Sequence, residues 1–215
     1  MTTKAVLFDF DGTLADTAPD LAAAVNRILA DEGQAPLPLE RLRPFASAGA
    51  RGLLHAAFGL KPDDGEYKPQ REVFLEYYAE ALCRDTKLFP GIEELLDALR
   101  KRELLWGIVT NKALRFTEPI CVALKLKPDC MSCGDSTPHL KPHPAPMLHA
   151  AAQLKLDPAR CLVLGDDLRD MTAARAAGMR AVAVEWGYHH PDNGGPGTWQ
   201  AEAVVHHPLE VLRLL

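Results

Sequence analysis

Two short acidic turns hold the side chains best suited to chemistry. The first is Asp9-Phe10-Asp11-Gly12-Thr13-Leu14, closing the apolar run Lys4-Ala5-Val6-Leu7-Phe8. Side chains alternate along a strand, so Asp9 and Asp11 fall close together where the strand ends. Two carboxylates held that close repel each other unless a cation, a shared proton or a transferred group intervenes. The second turn is Gly165-Asp166-Asp167-Leu168-Arg169-Asp170, after Cys161-Leu162-Val163-Leu164. Its acids also need compensation, and Mg2+ prefers a few carboxylates together with phosphate oxygen and water. Thr110-Asn111 closes a third apolar run, Leu104 to Val109. Thr or Asn there can cap a helix, but a hydroxyl with exposed backbone N–H groups at a strand end suits phosphate oxygens. Lys141 sits in His139-Leu140-Lys141-Pro142-His143-Pro144, where the prolines stiffen the backbone and can hold the ammonium inward.

The elements that must position these residues alternate. Apolar runs at Lys4–Phe8, Leu104–Val109, Asp129–Cys133, Cys161–Leu164 and Arg180–Val184 predict strands, with a short sixth at Ala203–Val205. Helices are expected between them, including Ala113–Leu124, where Pro119 requires a kink or a break. This alternation predicts a parallel sheet with right-handed crossovers. All the reactive stretches then fall on the carboxyl edge of the sheet, where such folds bind ligands. From Asp16 to Asp85 the pattern is helical throughout, with no strand signal. Helices are expected to about Asp31, over Leu39–Phe45, over Gly49–Phe58 and over Glu66–Cys83. That shift in composition argues for a helical insert after the first strand.

The first turn resembles the first motif of the haloacid-dehalogenase superfamily of phosphohydrolases. Thr110, Lys141-Pro142 and Gly165-Asp166-x-x-x-Asp170 resemble its other motifs, so the likeness spans nearly the whole chain. The resemblance implies a Rossmann-like parallel core at residues 1–15 and 86–215, with a helical-bundle cap domain at 16–85. It implies Asp9 as nucleophile and Asp11 as general acid and base. Mg2+ would be held by Asp9, Asp166, the backbone carbonyl of Asp11 and, directly or through water, Asp170. Thr110, Asn111 and Lys141 would bind the transferring phosphate. The expected activity is Mg2+-dependent hydrolysis of a small phosphomonoester through an aspartyl phosphate, of the phosphoglycolate phosphatase type. Ser47-Ala48-Gly49-Ala50-Arg51 is similar to the specificity loop of the family's cap and favours the N-acetylmuramic acid 6-phosphate type. Arg51 is open between gripping a substrate carboxylate and lying on the surface. A phosphosugar mutase shares these residues, and an idle binding protein on the same fold is the rival from another class.

The 215 residues allow a core with a smaller second domain, and 47% hydrophobic with 25% charged residues is ordinary for a globular chain. A net charge of −5 gives no basic face for nucleic acid. No apolar run is long enough for a membrane span. A cytoplasmic monomer or homodimer is expected, with no nucleic-acid or membrane partner. Five scattered cysteines suit reduced thiols. Cys130-x-x-Cys133 with His139 and His143 has only faint zinc-like spacing. Asp167 is open between helix cap and metal ligand, and His143 is assigned to the loop.

Overall fold

A computed structural model describes residues 2–215. The chain runs β1 (Ala5–Phe8), β2 (Ala15–Asp16), α1 (Ala18–Asp31), α2 (Leu39–Leu42), a 3-10 segment (Arg43–Ala48), α3 (Gly49–Phe58), α4 (Tyr67–Glu80) and β3 (Lys87–Leu88). It continues with α5 (Ile92–Lys101), β4 (Leu105–Val109), α6 (Leu114–Ala123), β5 (Cys130–Ser132), α7 (Ala145–Leu154), β6 (Cys161–Gly165), α8 (Leu168–Ala176), β7 (Arg180–Val184) and β8 (Ala203–Val205). Six strands form one parallel sheet in the order β5-β4-β1-β6-β7-β8. The expected α/β architecture is present. Helix α6 runs through Pro119 without a break.

β1 is central because all four of its residues are apolar and fully buried, with helices on both faces. Val6 and Phe8 pack with Ile108 and Leu164 on one face, in a cluster that continues into α1, α3 and α4. Ala5 and Leu7 pack with Met147, Ala150 and Met171 of α7 and α8 on the other. Phe8 is level with Ile108 of β4 and Leu164 of β6, so the three strands end side by side. That register brings the residues after them together.

Sequence periodicity does not reveal the two-residue strands β2 and β3. Asp16 is not part of an unbroken helical stretch. It pairs antiparallel with Lys87, so the two ends of the helical segment meet in one narrow ribbon. Buried Asp20 of α1 reinforces this crossing by accepting from the amides of Asp85 (2.9 Å) and Thr86 (3.0 Å) and from the Thr86 hydroxyl (2.6 Å). Two residues are too short to show a period of two, which is why composition alone suggests only helix there. Among the described residues, no helix is long and apolar enough to cross a membrane. All five cysteines are free.

Candidate active site

Asp9 follows β1, Thr110 follows β4, Asp166 follows β6, and Asp170 lies in the first turn of α8. Asp9, Asp166 and Asp170 each offer a carboxylate oxygen, all within 4.8 Å of one another. Into this group projects Lys141, only 4% exposed. Its ammonium lies 2.8 Å from Asp9 Oδ1 and 2.6 Å from Asp170 Oδ1, and donates to the Val109 carbonyl at 2.7 Å. Burial works against the ammonium, but Asp170 and Asp9 hold its pKa above the ordinary lysine value. Burial, then the charges of Asp9 and Asp170, push the Asp166 carboxyl well above the usual carboxylate range. Burial also raises Asp170, to about 7; Lys141 opposes this while Asp9 and Asp167 add to it.

Three hard oxygen donors around one point, over-supplied with negative charge, fit a hard divalent cation such as Mg2+. Asp170 fits it further: it is fully buried and shares its cationic partner, Lys141, with Asp9, so negative charge stays in excess. Cys130, Cys133, His139 and His143 form no such group among the described residues. Their signal is explained locally, because burial raises the Cys130 thiol to about 12 and the two imidazoles stack at 4.2 Å.

Asp166 is fully buried and collects donors from three parts of the chain. The Thr13 hydroxyl reaches Oδ1 at 3.2 Å, and the Tyr188 amide (2.9 Å) and Ser47 hydroxyl (2.8 Å) reach Oδ2. Gly12, at φ +85°, lies directly over it: an added Cβ would come within 2.1 Å of Oδ2, so only glycine fits the turn. Asp167 resolves as the helix cap. Its Oδ1 accepts from the Arg169 amide (2.9 Å), and its two oxygens grip the Arg169 guanidinium at 2.8 and 3.0 Å. Burial would raise its pKa, but Arg169 outweighs that and lowers it.

The Asp11 carboxylate lies outside the three-acid group. It accepts from Thr17 Oγ1 at 2.5 Å and from Lys112 Nζ at 3.0 and 3.2 Å. Thr17 precedes α1 but makes no side-chain cap; the Tyr188 hydroxyl takes the Thr17 and Ala18 amides instead, at 2.7 and 2.9 Å. Lys112 is a basic residue that the sequence does not single out. Its ammonium is buried, also faces the Tyr78 ring at 4.6 Å, and is held above the ordinary lysine pKa by Asp11 and Tyr78 against the effect of burial. Its only sequence signal is its place directly after Thr110-Asn111 at a strand end. Asn111 is placed beside the Lys141 loop. Its side-chain amide donates to the Lys141 carbonyl (3.0 Å) and accepts from the Lys141 amide (2.9 Å), so it braces that loop. Thr110 is buried, with Oγ1 accepting from the Lys112 amide at 3.2 Å.

Above the acids opens a cavity of about 570 Å3. Asp9, Asp11, Thr110 and Lys141 line it from the sheet edge, and Arg51, Tyr67, Arg71, Phe74 and Tyr78 from the helical segment. Arg115 of α6 adds a third guanidinium, seated 4.6 Å over the Phe116 ring. Arg51 is exposed at its wall, and none of these three arginines has a carboxylate partner among the described residues. Arg71 and Arg115 carried no motif and were invisible in the sequence.

Residues 6–184 match the family of haloacid dehalogenase-like hydrolases. An N-acetylmuramic acid 6-phosphate phosphatase of Pseudomonas aeruginosa is 44% identical over 217 residues, spanning 100% of this chain and 96% of its own. A phosphoglycolate phosphatase of Xanthomonas campestris pv. campestris is 41% identical over 210 residues, spanning 97% of this chain and 94% of its own. The solved structure of a predicted phosphoglycolate phosphatase from Haemophilus somnus 129PT has a TM-score of 0.85 at 28% identity, covering 100% of this chain and 98% of that one.

Proposed function

Because the chain belongs to the haloacid dehalogenase-like hydrolases, and is a phosphatase among them, we propose that it hydrolyses a small, carboxylated phosphomonoester through a covalent intermediate on Asp9. The observation that carries this reading is the buried Asp9–Asp166–Asp170 group, with Lys141 among the acids, at the base of an arginine-lined cavity. Asp9 attacks phosphorus, the bond to the leaving alcohol breaks, and an acyl phosphate forms. Asp11, having taken up a proton from solvent, gives it to the departing oxygen, then takes one from the water that splits the acyl phosphate. To do so Asp11 must leave Lys112, and an incoming phosphate offers that ammonium a competing anion. Thr110 and Lys141 bind the phosphate oxygens. Asp9, Asp166 and Asp170 would hold Mg2+, which when bound supplies positive charge for the carboxylates and the transferring group.

In this reading residues 16–85 act as a cap over the core of residues 1–15 and 86–215. The β2–β3 ribbon is its joint, and closure excludes water from the acyl phosphate. A cavity of about 570 Å3 lies in the range that encloses a ligand of drug size. That size, with three unpaired arginines, favours a phosphorylated sugar acid such as N-acetylmuramic acid 6-phosphate. Phosphoglycolate is the second reading, supported by the names of several relatives. The test is phosphate release from both compounds side by side, with Asp9→Asn as control. Release equal to substrate consumed separates a phosphatase from a mutase. Turnover by pure Asp9→Asn protein would overturn the mechanism.

A further inference from the structure

The three donors to Asp166 differ in one respect. Thr13 and Tyr188 belong to loops at the carboxyl edge of the sheet, after β1 and after β7, whereas Ser47 comes from the helical segment. Both ends of Ser47 are seated on the second acidic turn: its hydroxyl donates to Asp166 Oδ2 at 2.8 Å and its carbonyl accepts from Arg169 Nη2 at 2.9 Å. Asp167 holds that guanidinium in place, and Asn193 holds Asp167 at 2.8 Å. The same 3-10 segment docks at two further points. Arg43 pairs with Asp16 at 2.7 Å, and the Phe45 ring meets His190 edge-on at 5.1 Å.

Ser47 is also joined to the cavity wall. Arg51 lies four positions on, in the first turn of α3. Gly52 sits so close to the Phe45 carbonyl that an added Cβ would lie 2.2 Å from its oxygen. The 3-10 segment and the start of α3 are therefore packed backbone to backbone, and Ser47 and Arg51 must move together.

We propose that Ser47 is a positioning residue for Asp166, through which docking of the helical segment sets the orientation of a metal-binding carboxylate. The proposal rests on the reading of Asp166 as a Mg2+ ligand. A substrate that holds Arg51 at the sheet edge then also holds the Ser47 hydrogen bond to Asp166. By linkage, Mg2+ held at Asp166 favours the docked segment by the same factor.

The experiment is calorimetric titration of Mg2+ into substrate-free wild-type, Ser47→Ala, Ser47→Thr and Asp166→Ala proteins, with hydrogen exchange over residues 43–52 at zero and saturating Mg2+. Removing a hydrogen bond to a ligating carboxylate is expected to weaken Mg2+ binding about tenfold in Ser47→Ala. Ser47→Thr, which keeps the hydroxyl, is expected within about twofold of wild type. Mg2+ should slow exchange over residues 43–52 in wild type and not in Ser47→Ala. Unchanged affinity in Ser47→Ala overturns the proposal, as does equal weakening in Ser47→Thr, because the hydroxyl is then not the cause. If wild type and Asp166→Ala take up Mg2+ alike, the metal reading itself falls and the proposal with it. A change in metal-free melting temperature alone, with affinity unchanged, also counts against it, since that marks a merely structural contact.

Discussion

Replacing Lys141 by methionine removes the one ammonium set among the three buried acids while keeping most of the side chain's volume. Its contacts to Asp9 (2.8 Å) and Asp170 (2.6 Å) are each worth about 6 kcal/mol of attraction at an effective dielectric near 20. Desolvating the ammonium offsets several kcal/mol of that, and breaking a buried pair from one side leaves a net loss of about 3–5 kcal/mol. For a chain of this size that lowers the melting temperature by about 6–20 °C. The loss should be partly recoverable, because Mg2+ adds positive charge where the lysine did. At a hundred times its dissociation constant a ligand returns about 2.7 kcal/mol. With Lys141 gone the acids attract the cation more strongly, so the Mg2+-induced rise should be larger in Lys141→Met than in wild type. Turnover should stay low even when stability is restored, since the phosphate has lost its ammonium. Thermal melts with chelator and with Mg2+ read both quantities. A metal-free melting temperature within a degree of wild type, or equal Mg2+-induced shifts in the two proteins, would refute the charge argument.

The remaining predictions concern single groups. Lys112→Met removes the ammonium that the incoming phosphate is proposed to draw away from Asp11, so kcat/KM should fall about tenfold on natural and aryl phosphates alike, as for one charge-assisted contact; a normal kcat/KM on either would detach Lys112 from the chemistry. Arg51→Ala should lose about 1.5 kcal/mol, roughly tenfold in kcat/KM, on a carboxylated substrate and almost nothing on an aryl phosphate, as an exposed side chain forming one charge-assisted contact. Equal losses on the two substrates would make Arg51 a structural residue. Burial raises Asp170 in the folded, metal-free protein from 3.8 to about 7. Between those values the folded form binds more protons than the unfolded one, so this group's contribution falls as pH rises from about 4 to 7. The difference in unfolding free energy between wild type and Asp170→Asn should follow that slope in chelator and flatten in Mg2+.

Residues that act from the end of an apolar strand were legible. Asp9, Asp166 and Lys141 stand where short buried runs or a stiff proline loop stop, and those stops are written locally. Asp170 was legible because it follows Asp166 by one helical turn. What the chain does not write locally is which distant side chain answers a given charge. Lys112 resembles any lysine at a helix start until β1 and β4 lie in register and place it on Asp11. Tyr188 lies in a polar, glycine-rich loop, yet its hydroxyl takes both amides at the start of α1, which frees the Thr17 hydroxyl for Asp11. Ser47 falls inside the Ser47–Arg51 stretch, where an uncharged hydroxyl gives no signal beside the guanidinium of Arg51. The short ribbon of β2 and β3 was lost because two residues cannot display a period.

The central place of β1 has a consequence for how the protein is made. β1 leaves the ribosome before both of its partners, Leu105–Ile108 of β4 and Cys161–Leu164 of β6. At about 5–20 residues per second the second partner arrives about 8–30 s later. The helices of residues 18–80 make mostly local contacts and can form meanwhile. Until β4 emerges, Ala5-Val6-Leu7-Phe8 is an unpaired apolar strand of the kind that nucleates aggregation, and until β6 emerges one of its edges stays open. Lys4 on one side and Asp9 on the other are the charges that flank it. The carboxylate assigned to attack phosphorus thus also guards the nascent strand, and its removal should lower the yield of folded protein as well as the rate.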